Sequence, residues 1–430
     1  MTLQVSEGGG GVRVVLQVRP LRRYLLGQTL SGFGDSLMPI ALVFAVLGQG
    51  GGAAAVGVVL LASRIPSILI ALLSGALGDR ADRRTVMLCT DAARCLLQAT
   101  TAALLLTGHC PLWALVVLQG LAGTASALFT PAAAGLVRTL APPMLLAQAN
   151  ALLGLTRNTV ALAGLAIAGA LVATVGPGWA FALDAATFAT SAVFLTLLAR
   201  LPSPARPGQA LWRAALLGVQ EVGRRRWLWT SIVYVAALNL LAICPFLVLG
   251  PVIAQQELGG AVEWSAIAFG YAAGSIGGST LVLRWHPAHP LRAAFLGALA
   301  LTPFLYLLGA AAPVPVLIVT ATLAGTQAAV FNVLHNTTLQ THVPEHLVSR
   351  VASVNMLGSL AAVPLGLGLA GPLAQATSPR TVLTAAAVLA ILGTITVLCI
   401  RDVRDLAEPA SAPDRAPAPI KGRAEQIESQ

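Results

Sequence analysis

Apolar stretches of about 20 residues, each closed by a Gly, Pro or Arg cluster, recur along almost the whole sequence. An α-helix rises 1.5 Å per residue, so a run of about 20 apolar residues crosses a hydrocarbon core roughly 30 Å thick. Such runs fall near 24–47, 54–77, 86–107, 111–136, 150–173 and 179–199, and again near 228–253, 264–284, 291–310, 313–336, 352–374 and 380–400. With 57% apolar and 10% charged residues, the chain has too little polar surface for a soluble globule. The expectation is an all-α polytopic membrane protein with twelve transmembrane helices.

The arginines set the orientation, because basic residues near span ends stay on the cytoplasmic side. Arg22, Arg23, Arg138, Arg200, Arg350 and Arg401 fall in loops of one side, and the other side's loops hold only Arg380. Both termini are therefore expected in the cytoplasm, with the chain in a bacterial inner membrane. The net charge of +10 is explained by this topology and not by nucleic acid, since the basic residues sit in short clusters between spans. No cleavable leader is expected, and the first span serves as the insertion signal. The five cysteines are odd in number and far apart, which excludes a disulfide framework or a metal spacing.

Sliding the sequence against itself by 202 residues pairs Leu121-Ala-Gly-Thr124 with Leu323-Ala-Gly-Thr326, Phe129 with Phe331 and Pro142 with Pro344. Without a gap, the same shift pairs Gly164, Ala168 and Gly169 with Gly366, Ala370 and Gly371. Two pseudo-symmetric six-helix halves follow: a tail over 1–20, a half over 21–200, a linker with an amphipathic segment over 201–226, a half over 227–401, and a disordered tail over 402–430. Gly270, Gly274 and Gly278 recur every four residues in the eighth span and invite close approach by another helix.

Between spans 2 and 3 the chain reads Gly75-Ala-Leu-Gly-Asp79-Arg80-Ala-Asp82-Arg83-Arg84. This spacing resembles the loop between helices 2 and 3 of the major facilitator superfamily. Further phrases resemble its drug:proton antiporter branch, which includes macrolide-efflux and enterobactin-export proteins. They are Leu30-Ser-Gly-Phe-Gly34-Asp35, Ala62-Ser-Arg64-Ile-Pro66, Asp91-Ala-Ala-Arg94, Phe129-Thr-Pro131, Leu183-Asp184-Ala-Ala-Thr-Phe188 and Leu339-Gln340-Thr-His-Val-Pro344. Two departures stand out: Asp82 replaces the usual Gly of the loop, and Gly164-Leu165 stands where exporters carry Gly-Pro. The resemblance implies a secondary transporter with a small-molecule substrate, protons and the lipid bilayer as partners, acting as a monomer without a cofactor. It also implies a cytoplasmic gate at Gly75, Asp79, Arg80, Arg83 and Arg84, with Asp79 facing the start of span 11 near Val351 and Asp91, Arg94 and Arg157 extending the network.

Charges inside the spans need a partner, an aqueous cavity or a function. Asp35 lies about 12 residues from the inner end of span 1 and Arg64 about 10 from the outer end of span 2, roughly 18 and 15 Å deep from opposite faces. Equal depth predicts that the two pair, either as a permanent ion pair or as a proton-coupling pair, because burial and a nearby guanidinium pull a carboxyl's proton affinity in opposite senses. Asp184 and Asn239 are candidates to line a substrate cavity or, equally, to make a helix-to-helix hydrogen bond, and His335 sits at the inner end of span 10. No phosphate-binding loop or metalloprotease or hydrolase motif is present, which argues against a pump and an enzyme. The expected activity is proton-coupled efflux of an amphiphilic drug, siderophore or metabolite; an importer and a transporter-like sensor are the alternatives.

Overall fold

A computed structural model describes residues 10–77, 82–198, 219–285, 287–360 and 362–406, and among these every regular element is a helix. In the first half the membrane helices are α1 (Arg19–Gly48), α2 (Ala53–Leu77), α3 (Arg83–Leu106), α4 (Leu112–Leu140), α5 (Leu146–Val175) and α6 (Pro177–Thr196). In the second they are α7 (Arg226–Leu258), α8 (Ala261–Val282), α9 (Pro290–Gly309), α10 (Val314–His342), α11 (Glu345–Leu360 continued by Val363–Ala376) and α12 (Pro379–Leu398). Each expected span thus has its helix. Pro39, Pro66 and Pro131 sit inside α1, α2 and α4, and α7 takes up π-helical turns at Asn239–Ile243 and Ala254–Leu258. A short helix, Gly10–Gln17, precedes α1 and buries Val15 against the first half. Most of the expected amphipathic linker and the C-terminal tail lie outside the described residues.

The duplication is visible in the helix boundaries: a shift of 202 carries α4 onto α10 and α6 onto α12, residue for residue at both ends. The repeated Leu-Ala-Gly-Thr is a packing point. A Cβ on Gly123 would overlap the Ser63 backbone of α2, and one on Gly325 would overlap the Tyr271 backbone of α8. Gly274 and Gly278 likewise press on the backbones of Thr322 and Thr326, so the glycine row of α8 has α10 as its partner. Small residues allow such contact where lipid offers no hydrophobic force between helices.

The two ends of the bundle differ in how the halves meet. At the end bearing the α1–α2 turn, one continuous apolar core joins the halves, including Val43 and Val56 of the first and Val248, Phe304 and Leu367 of the second. The contact there is backbone on backbone: a Cβ on Gly57 would strike the Leu367 carbonyl, one on Gly371 the backbone of Ala54, and one on Gly169 the Ala261 carbonyl and Ser265. At the end bearing the chain termini each half keeps its own core. Leu21, Met87 and Leu136 belong to one, and Trp227, Phe295 and Leu334 to the other.

Candidate functional site

The first half holds a charged centre built on Arg94. From α3 its Nη2 bonds Asp91 one helical turn away, and its Nη1 lies 3.7 Å from Asp35 Oδ2 of α1. The guanidinium carbon is 4.3 Å from the ring centre of Phe129 on α4 and 4.2 Å from that of Phe188 on α6. A planar cation between two aromatic faces is held by cation–π attraction and loses little freedom on pairing. Ser191 Oγ donates to Asp91 Oδ2 at 2.7 Å, and Gln28 reaches the same hydroxyl at 3.4 Å. Asp91 is 0% and Arg94 4% exposed, whereas the Asp35 side chain is 50% exposed. The pair is therefore sealed by protein on one side and open on the other.

Four of the phrases singled out in the sequence meet here: those of Asp35, of Asp91 and Arg94, of Phe129, and of Asp184 and Phe188. Asp184 lies against Gly34, where a Cβ would overlap Asp184 Oδ1 and Thr187 Oγ1. That explains the glycine before Asp35: α1 and α6 touch without a side chain between them. Gln98 Nε2 donates to Asp184 Oδ2 at 2.9 Å, and Gln119 Nε2 donates to Gln98 Oε1 at 3.2 Å. The two glutamines have no distinguishing motif; only their placement on polar faces of α3 and α4 could have signalled them.

Several expectations change. Asp35 does not pair with Arg64; its partner is Arg94, because equal depth on consecutive helices does not mean facing sides. α2 turns Arg64 toward the second half, within electrostatic range of Cys244 on α7. Asp91 and Arg94, expected to extend the gate network, are buried inside the first half. Asp184 is 0% exposed and makes a helix-to-helix hydrogen bond with Gln98. Asn239 opens the first π-helical turn of α7. His335 is buried, stacked on Phe331 and hydrogen-bonded through Nε2 to Asn355 of α11 at 3.2 Å.

Of the expected gate, Gly75 lies in α2, and Asp79 and Arg80 lie outside the described residues. Arg83 donates to the Gly135 carbonyl at 3.0 Å and to Thr139 at 3.2 Å. Arg84 donates to the carbonyls of Leu195 and Thr196, both at 2.8 Å. Both arginines thus fasten α3 to helices of its own half, Arg84 at a C-terminus where cations are favoured. Asp82 caps α3 by accepting from the Thr85 N–H at 3.1 Å and hydroxyl at 2.7 Å. Burial works to raise the Asp82 carboxyl, and these bonds outweigh it and hold it below its ordinary value. Arg157 is exposed on α5, within electrostatic range of Asp35 and Tyr24.

A two-lobed bundle of duplicated helices with a charged centre in one lobe is the architecture of a membrane carrier, and residues 24–363 match the family model of the Major Facilitator Superfamily. The chain belongs to that superfamily. It is 28% identical over 400 residues to the multidrug efflux pump Tap of Mycolicibacterium fortuitum, covering 89% of this chain and 96% of that one. It is 26% identical over 283 residues to the enterobactin exporter EntS of Citrobacter koseri, covering 63% and 65%. Among solved structures it resembles the nucleoside transporter NupG, with a TM-score of 0.72 at 10% identity over 88% of this chain and 98% of that one. It also resembles a bacterial homologue of the iron transporter ferroportin in an inward-facing state, with a TM-score of 0.67 at 17% identity over 88% and 98%.

Proposed function

We propose that the chain is a proton-coupled exporter of an amphiphilic small molecule that works by alternating access. The observation that carries this reading is the Asp35–Arg94 pair, a half-exposed carboxylate opposite a guanidinium locked between two rings. Protonation of Asp35 removes its attraction to Arg94, and a changed charge at the junction of α1, α3 and α6 biases how those helices pack. One charge moving down the membrane potential supplies about 2.3 kcal/mol per 100 mV. That exceeds the roughly 1.4 kcal/mol of a tenfold substrate gradient.

The joined core at one end and the divided cores at the other support a carrier closed on one side. With the termini cytoplasmic, as the arginine distribution favours, this conformation faces inward, like the ferroportin homologue. The names of Tap and EntS favour export and a drug or siderophore as cargo. The chain is read as a monomer of the bacterial cytoplasmic membrane, and the catalytic chemistry of an enzyme has no place in this mechanism.

Everted membrane vesicles incubated with a panel of fluorescent drugs test this. Uptake driven by an acid interior and abolished by an uncoupler is expected, with Asp35→Asn inserted normally but deaf to the gradient. Undiminished pH-driven uptake by that variant removes Asp35 from the coupling, and uptake only in the opposite sense makes the protein an importer.

A further inference from the structure

The polar ladder of the first half runs on past Asp35. Asp184 is wholly buried, and only its Oδ2 is satisfied, by Gln98. Its Oδ1 accepts no hydrogen bond of normal geometry among the described residues; it lies where a Cβ of Gly34 would be, beside the Thr187 hydroxyl, which donates to the Asp184 backbone carbonyl at 2.7 Å. Gly34 directly precedes Asp35, and Asp35 is the ionisable group with the strongest electrostatic influence on Asp184. The other ionisable neighbours that bear on it are Arg94 and Cys95 of α3; from α4 it is approached, through Gln98, by the neutral Gln119.

Charge balance then decides what Asp184 holds. Among the described residues the three carboxyls Asp35, Asp91 and Asp184 share one buried guanidinium, that of Arg94, which already bonds Asp91 and lies 3.7 Å from Asp35; the exposed Arg157 of α5 acts on Asp35 only electrostatically. A buried carboxylate with no counter-charge is strongly disfavoured, and a proton on the bare oxygen removes the charge. Gln98 orients the group by donating to the other oxygen, and its own carbonyl is in turn fixed by Gln119. The Asp184 Cα lies 3.0 Å from where a Cβ on Gly34 would be, so the carboxyl sits behind α1 at the height of Asp35, inside the first half.

We propose that Asp184 is a second proton-binding site, which keeps a proton behind Gly34 and exchanges it with Asp35; this rests on the coupling role proposed for Asp35. In the exchange the O–H bond at Asp184 Oδ1 breaks and one forms on the Asp35 carboxylate. The charge moves to Asp184, and Arg94, freed from the neutral Asp35, becomes its counter-ion. The substrate cleft between the halves and the proton store inside one half are then separate compartments that meet at Asp35.

Infrared difference spectroscopy of the full-length protein in liposomes tests the store without a substrate. The expected spectrum has the C=O stretch of a buried protonated carboxylic acid, sensitive to deuterium exchange and persistent across neutral pH. It is lost in Asp184→Asn, and in Asp35→Asn it persists at a shifted frequency because the neighbouring charge is gone. Gln98→Met shifts it without removing it, which keeps the test alive if the Asp184 variant does not fold. A band unchanged in Asp184→Asn, or one unmoved by Gln98→Met, overturns the proposal. If the band behaves as expected while Asp35→Asn still transports with normal pH dependence, the store stands and the coupling role of Asp35 falls. If Asp35→Asn uncouples transport and the Asp184 band is absent, only the store falls.

Discussion

The two halves share a backbone plan and differ in what fills it. The shift of 202 that superposes α4 on α10 and α6 on α12 takes Gln119 to Ala321, Asp184 to Ala386 and Ser191 to Gly393. On the third helix of each half it takes Asp91 to Ala293, Arg94 to Leu296 and Gln98 to Ala300. Phe129 keeps its counterpart in Phe331, but the ring that lies on a guanidinium in the first half lies on other rings in the second. There Phe331 meets Phe295 edge-on at 5.3 Å and stacks on His335 at 5.7 Å, while Tyr234 meets Phe295 at 5.0 Å and bonds Thr394 at 2.9 Å. The two scaffolds match, and among the described residues the buried ion-pair centre stands in the first. The lesson is that helix packing tolerates either filling, since packing rests on small residues at crossing points, whereas charge needs a complete set of partners.

That contrast can be broken or sharpened by mutation. Arg94→Leu leaves Asp91 and Asp35 without a counter-charge in the first half, and a loss of about 3–5 kcal/mol is expected. Thermal unfolding in detergent should show it, and transport should be lost. Phe331→Ala in the second half is expected to cost about 3 kcal/mol by cavity formation, yet to leave the pH profile of transport unmoved. A changed profile would mean that the halves do not divide the labour. Tyr234→Phe removes one buried hydrogen bond and should lower stability by about 1 kcal/mol, read as a small fall in the unfolding midpoint.

The smallest effect lies outside the membrane. Asp82→Ala removes the cap of α3 and is expected to cost at most about 1 kcal/mol, reduced further by solvent screening. Because the folded carboxyl is held below its ordinary value, its contribution is full above the unfolded value of about 3.9. It fades as pH falls through the folded value. The gap in unfolding midpoint between wild type and variant should therefore close in acid; a gap that widens there contradicts the capping role.

The twelve spans, the doubling and the superfamily were legible in the chain, because apolar length, glycine spacing and a repeat at constant offset are one-dimensional signals. The residues of the charged centre were legible as residues: Asp35, Asp91, Arg94 and Asp184 all stand out as charges within apolar runs. Their partnership was not. Depth along a helix follows from counting, but the face a residue presents depends on which helices pack against it. α1 packs along α6 and α5 while α2 packs on α4 and α11, so Arg64 and Asp35 part company at equal height. The sequence by itself determined how many helices cross the membrane and where charge is buried. Only the tertiary structure decided which charges meet and at which end the halves join, since both depend on contacts between helices distant in the chain.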